Sequence, residues 1–285
     1  MIKSRIVSTG KGIFTGTATA LLLALMLTGC QSVHTTSGGT VGVGREQRML
    51  TLLSSAEVDQ MSAQSYQQMR QQAEESKTLV VSGRDLRRLQ KIADRITSQV
   101  ATFRADASRW PWQVSLIRDE TINASCLPGG RIVFYTGIIE TLDLNDDEIA
   151  AIMGHEIAHA LREHGREAMS QAYVMQLGSA LTGALLGVNE GAMDLANQVV
   201  HYALALPNSR EKEAEADIIG LELMARAGYN PEAAISLWQK MAAHSGQNPP
   251  EFMSTHPATK TRIDGLRSLL PRVQPLYWQT LSGAN

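Results

Sequence analysis

The sequence predicts an α+β fold, mainly helical, with a small β-sheet beside one central helix. Three observations carry this reading. Helical spacing of apolar residues runs from Asn145 to Glu163, with further helical stretches from Arg84 to about Phe103 and from Ser209 to about Ala227. Two short runs, Trp112 to Ile117 and Arg131 to Tyr135, are strand-like in pattern and length. A histidine-rich five-residue motif lies inside the apolar helical stretch just after the second of these strands.

Taken in order, Lys3, Arg5 and Lys11 precede an apolar run through Leu27, and Leu27-Thr28-Gly29-Cys30 reads as a lipoprotein cleavage box. Residues 1–29 are therefore expected to be a signal peptide, with lipid attached at Cys30. Residues 30–44, rich in Ser, Thr and Gly, predict a flexible tether. Residues 45–285 are expected as one domain, with an N-terminal helix over 45–75 and a catalytic core over about 78–270. Thr78 to Val81 is a short extended piece ahead of the helix that starts at Arg84. Tyr173 to Val188 is apolar but short, and Gln176, Ser179 and Thr182 interrupt it, so it is a poor membrane span. With Ala192 to Ala205 it predicts a buried or lid-like helical hairpin.

Composition narrows the function classes. A net charge of −2 with mixed signs gives no electrostatic reason to expect nucleic acid. Of the 2 cysteines, lipidation of Cys30 leaves Cys126 without an intrachain partner, so no structural disulfide is expected. Cys126 reads as a small buried residue, thiol regulation being the alternative.

The motif is His155-Glu156-Ile157-Ala158-His159. Positions four apart on a helix lie about 40° from one another, so His155 and His159 can hold one Zn²⁺ from the same face. Glu156, beside them, can take a proton from water at that ion. The helix around it is well marked: Asn145 or Asp146 can cap it, and Asp146, Asp147 and Glu148 suit its first turn. A catalytic zinc site takes three protein ligands and keeps one position open. An H-E-x-x-H-x-x-G-x-x-H pattern is excluded, because Arg162 and Gly165 stand where it needs Gly and His. His164 would point about 180° from His155 on a continuing helix, towards solvent or local packing. Downstream, helical phase groups Glu211, Glu215, Glu222 and Arg226 as a solvated face, and sets Glu213 and Asp217 opposite, with Ala216, Gly220 and Met224. Small residues suit close helix packing, so Glu213 is expected as the third ligand. Asp217, one turn on, is placed to accept from the second ring nitrogen of a ligand histidine.

HEIAH together with the Glu-x-x-Ala-Asp end of SREKEAEAD resembles the gluzincin metallopeptidases of the CAAX prenyl protease and HtpX type, in particular the soluble bacterial lipoprotein branch (BepA- and LoiP-like). Asn123-Ala124, Pro128-Gly129-Gly130 with RIVFYTGII, Thr255-His256-Pro257 and Arg262-Ile263 also match, so the likeness runs from about Val80 to Leu270. It implies a zincin-type fold with one Zn²⁺ held by His155, His159 and Glu213, and Glu156 as general base. It also implies that His256 is a loop histidine near the metal that either supports or blocks catalysis. By the same resemblance Arg131, Ile132, Val133 and Phe134 form an edge strand that binds substrate backbone, a wholly internal strand being the alternative. The implied activity is degradation of misfolded or stalled outer-membrane proteins by a periplasmic protease anchored at Cys30, with a contact to the outer-membrane assembly machinery. Gln31 after the cysteine implies the inner leaflet of the outer membrane. The alternative is a non-proteolytic chaperone or assembly lipoprotein with a structural or latent zinc site.

Overall fold

A computed structural model describes residues 30–44, 47–50, 53–170, 209–244 and 250–283. The expected signal peptide and the hairpin expected over 173–205 lie outside these residues.

Local signals start the main helices. Ser54 accepts from the Glu57 amide and Glu57 answers the Ser54 amide, opening α1 (Ser55–Glu75). The next helix, α2 (Arg84–Thr97), gives way to a 3₁₀ turn at Val100–Thr102, earlier than the expected end near Phe103. Strands β3 (Gln113–Ile117), β4 (Ala124–Leu127) and β5 (Arg131–Tyr135) form one sheet. A short helix, α3 (Thr136–Thr141), leads to α4 (Asp146–Leu161), which carries the motif and opens with a capping box between Asn145 and Glu148. Beyond it come α5 (Arg210–Arg226), α6 (Ala233–Ala243), α7 (Glu251–Thr255) and α8 (Lys260–Gly283). The architecture is α+β and mostly helical.

The sheet order is β3-β5-β4, with β5 parallel to β3 and antiparallel to β4. The expected substrate-binding edge over Arg131–Phe134 is therefore corrected: β5 is the middle strand. Gly129 and Gly130, both at positive φ, turn the chain so that β4 and β5 pair as a hairpin, and β3 takes β5's other side. Ile132, Val133 and Phe134 are buried in the core, and Arg131 holds Asp59 of α1 at 2.5 Å. Both outer strands have a strand on one side only; the extended piece over 78–80 covers the outer side of β3 through the Val80 and Arg118 amides, and β4 packs against α4.

Helix α4 is the core of the molecule, buried from Glu148 to Leu161 and packed on β4, α2, α5 and α6. Its crossing with α5 is unusually close. A Cβ added to Gly220 would lie 2.7 Å from the His155 amide nitrogen, and one on Gly154 would lie 2.8 Å from the Gly220 carbonyl oxygen. These two glycines let the backbones meet and so bring α5 side chains to the motif.

The N-terminal segment differs from the expected tether. Cys30–Val33 (β1) pairs antiparallel with Gln47–Leu50 (β2), so the helix expected from residue 45 begins at Ser55. Val41 is buried, and the Thr40 and Val41 amides donate to the fully buried carboxylate of Glu222 at 2.9 Å. Ser37 donates to the Phe103 and Thr102 carbonyls. Gly39, at φ +61, lies where a Cβ would meet the Phe103 ring, so this glycine allows close approach. No helix among the described residues is long and apolar enough to cross a membrane.

Candidate metal centre

His155 and His159 project from α4 with their Nε2 atoms 3.1 Å apart. Glu213, on the first turn of α5, reaches both: Oε2 is 3.4 Å from His155 Nε2 and Oε1 is 3.3 Å from His159 Nε2. His256, at the end of α7, brings Nδ1 to 2.9 Å from Glu213 Oε1 and 3.2 Å from His155 Nε2. All four residues are buried.

These spacings fit a metal. Bonds of about 2.0–2.1 Å to N and O ligands in a tetrahedron put the ligand atoms roughly 3.3 Å apart. Ring nitrogens that face each other in a buried space share either a proton or a cation between them. Four donor atoms, one from each of His155, His159, Glu213 and His256, lie within 4.8 Å of one another and could hold one metal ion. Two or three imidazoles and a carboxylate suit Zn²⁺.

The surrounding groups prepare this set. Asp217 Oδ1 sits 3.1 Å from His155 Nδ1, on the side away from the donor cluster. Arg262 holds Asp217 with two hydrogen bonds, Nε to Oδ2 at 2.6 Å and Nη2 to Oδ1 at 2.7 Å, and its Nη1 is 2.8 Å from Glu213 Oε2. Its guanidinium lies 3.5 Å from the centre of the Trp238 ring, which also meets His155 edge-on. Phe252 packs on the His256 ring at 4.6 Å.

Charge follows from burial and neighbours. Burial and Arg262 pull the His155 ring down, but Glu213 and Asp217 outweigh them and raise it to about 9. The site thus draws positive charge, and a metal would compete there with a proton. Burial pushes His159 well below its ordinary value. Burial also opposes ionisation of Glu213, yet His256 and His155 hold it below the usual carboxylate range. Glu156 is raised, chiefly by burial, and its Oε1 is a buried atom with no hydrogen-bond partner, 3.5 Å from His256 Nε2. An orphaned carboxylate oxygen beside a metal set is suited to a water molecule. Cys126 on β4 is a free thiol, buried, and burial pushes it up, which keeps it in the inert protonated form.

Two expectations are corrected here. His164 is fully buried, with Nδ1 at 2.8 Å from His159 Nδ1, because α4 ends at Leu161 and Glu163 takes φ +53, which turns the next residue back towards the site. Glu215 and Glu222, grouped by phase with a solvated face, are buried as well: the 30–44 segment and Arg162 cover that side of α5. The deep roles of His164, Glu215 and Arg162 had no local signal, because a break in helical phase at a non-glycine residue leaves no compositional trace.

Residues 85–270, more than half of the chain, match the model of peptidase family M48. The chain belongs to that family. Among M48 relatives, it is 36% identical over 177 residues to the mitochondrial metalloendopeptidase OMA1 of Saccharomyces cerevisiae, covering 59% of this chain and 50% of that one. It is 37% identical over 169 residues to the OMA1 of Schizosaccharomyces pombe, covering 57% and 48%. The beta-barrel assembly-enhancing protease of Escherichia coli is 28% identical over 198 residues, covering 62% and 38%. The chain spans about half the length, or less, of the curated relatives it matches. Similarity thus extends to mitochondrial and bacterial proteases alike.

Proposed function

We propose that this protein is a zinc-dependent endopeptidase of the bacterial periplasm. In this reading it is tethered through lipid on Cys30, at the inner leaflet of the outer membrane, and degrades misfolded or stalled outer-membrane proteins. The observation that carries the enzymatic part is the convergence of His155, His159 and Glu213 beside the unpartnered Oε1 of Glu156. The N-terminal lipoprotein box and the likeness to the beta-barrel assembly-enhancing protease support the location, the substrate class and a contact with the assembly machinery.

His155, His159 and Glu213 would hold Zn²⁺, which supplies Lewis acidity to the scissile carbonyl and lowers the pKa of attacking water. Glu156 takes the proton of that water on Oε1 and returns it to the leaving amine nitrogen. Asp217, fixed by Arg262, holds the His155 Nδ1–H so that Nε2 keeps its lone pair for the cation. Substrate backbone is best placed along β4: the Tyr135 amide donates to the Asn123 carbonyl, and strand alternation then aims the main-chain groups of Cys126 away from β5. Strand addition there reads main-chain groups and accepts many sequences, as an unfolded substrate requires.

A second reading rests on His256. With its Nδ1 inside the donor set, the site has four protein ligands, which is the closed pattern of a structural or latent centre. A chaperone or assembly lipoprotein would keep that closure; a protease would open it. The deciding experiment uses zinc-loaded chain without residues 1–29, with casein and unfolded porin as substrates, in wild-type and His256→Ala backgrounds. Glu156→Gln should reduce cleavage by about 10²–10⁴-fold while zinc stays bound. Equal cleavage by both forms, or none in either background, removes the protease reading.

A further inference from the structure

We propose that His164 and Glu215 are positioning residues for His159, and that Arg162 sets the direction of the hydrogen-bond chain they form. The inference rests on the reading in which His159 offers Nε2 to Zn²⁺. His159 Nδ1 lies 2.8 Å from His164 Nδ1, and His164 Nε2 lies 3.0 Å from Glu215 Oε2. Glu215 Oε1 accepts from Arg162 Nη2 at 2.5 Å. All four side chains are buried.

The contacts among these four side chains fit one arrangement of protons. A guanidinium only donates, and Glu215, paired with it in a buried ion pair, acts as a carboxylate that accepts at Oε1. Its other oxygen also accepts, so His164 Nε2 carries a proton and donates. A neutral imidazole with its proton on Nε2 has its lone pair on Nδ1. His164 Nδ1 therefore accepts, and His159 Nδ1 is the donor. The remaining lone pair of His159 falls on Nε2, the atom that faces His155 and Glu213.

The metal-ready tautomer of His159 is thus written from Arg162, through a carboxylate and a second imidazole. His155 reaches the same state through Asp217 directly. The backbone builds the longer route. Arg162 caps α4, Glu163 turns in the left-handed region, and His164 comes back under His159 to meet Glu215 on α5.

Zinc affinity of the purified chain, by competition with a chromophoric chelator, tests this, alongside the thermal midpoint of each metal-free form. His164→Leu removes the acceptor and should weaken zinc binding by about 10- to 100-fold. His164→Gln should stay near wild type, since its amide oxygen accepts from His159 while its NH₂ donates to Glu215. Glu215→Gln should lose as much as His164→Leu: its oxygen goes to Arg162, its NH₂ donates to His164 Nε2, and the His164 tautomer reverses. Simple packing predicts the opposite ranking, because Gln matches Glu in shape and does not match His. The inference is overturned if Glu215→Gln binds zinc like the wild type, or if His164→Gln is no better than His164→Leu. If the wild-type chain itself takes up no zinc, it is the metalloprotease reading that fails.

Discussion

In the protease reading proposed above, His256 is the side chain placed to control turnover. Its Nδ1 stands 2.9 Å from Glu213 Oε1, inside the ring of donors, and Phe252 holds its imidazole in place. A ligand that fills the fourth corner keeps the substrate carbonyl and the attacking water away from the cation. His256→Ala should raise peptide hydrolysis on the order of tenfold, the gain expected if the open site is about one-tenth populated, with zinc affinity little changed; a fall in kcat would make His256 a catalytic support instead. His155, Glu156, His159 and Glu213 were legible in the chain because helical spacing and phase are local properties. His164 was not, since its direction depends on the left-handed turn at Glu163.

Between elements, the crossing of α4 and α5 does most to assemble the centre. Gly220 against the His155 backbone sets how far Glu213 can reach, and no side chain fits between them. Gly220→Ala should cost about 1–3 kcal/mol through overpacking, roughly 2–4 °C of thermal midpoint for each kcal/mol. It should also weaken zinc binding, as chelator competition would show. An unchanged midpoint would mean that the helices part without strain. The small residues of α5 announced this contact; the strand order was less accessible. A strand's own residues show its period, but which neighbours flank it is decided by distant chain, and β3 and β4 took both sides of β5.

Across the whole molecule, the N-terminal segment is part of the fold. Glu222 gathers the Thr40 and Val41 amides and the Arg226 guanidinium, while Arg162 reaches Thr36 and Gln47 reaches the Arg162 carbonyl. The same helix, α5, thus holds the 30–44 segment through Glu222 and meets His164 through Glu215. Glu222→Ala leaves two amides without their acceptor, which costs about 1–3 kcal/mol. Hydrogen exchange at Thr40 and Val41 should then accelerate about 5- to 150-fold, a rise confined to the 30–44 segment. Exchange at the wild-type rate would show that other contacts hold it.

By itself the sequence determined the helix starts at Asp146 and Arg210, the central motif and the choice of Glu213 as the acidic residue that comes to lie beside it, because caps, period and phase act over a few neighbouring residues. The tertiary structure alone decided which strands lie at the sheet's edges, which glutamates of α5 are buried, where His164 points and how near His256 Nδ1 comes to Glu213 and His155. Those outcomes depend on segments far apart in the chain coming to lie on one another, and burial of a charged side chain is set by what covers it and by the partner that neutralises it.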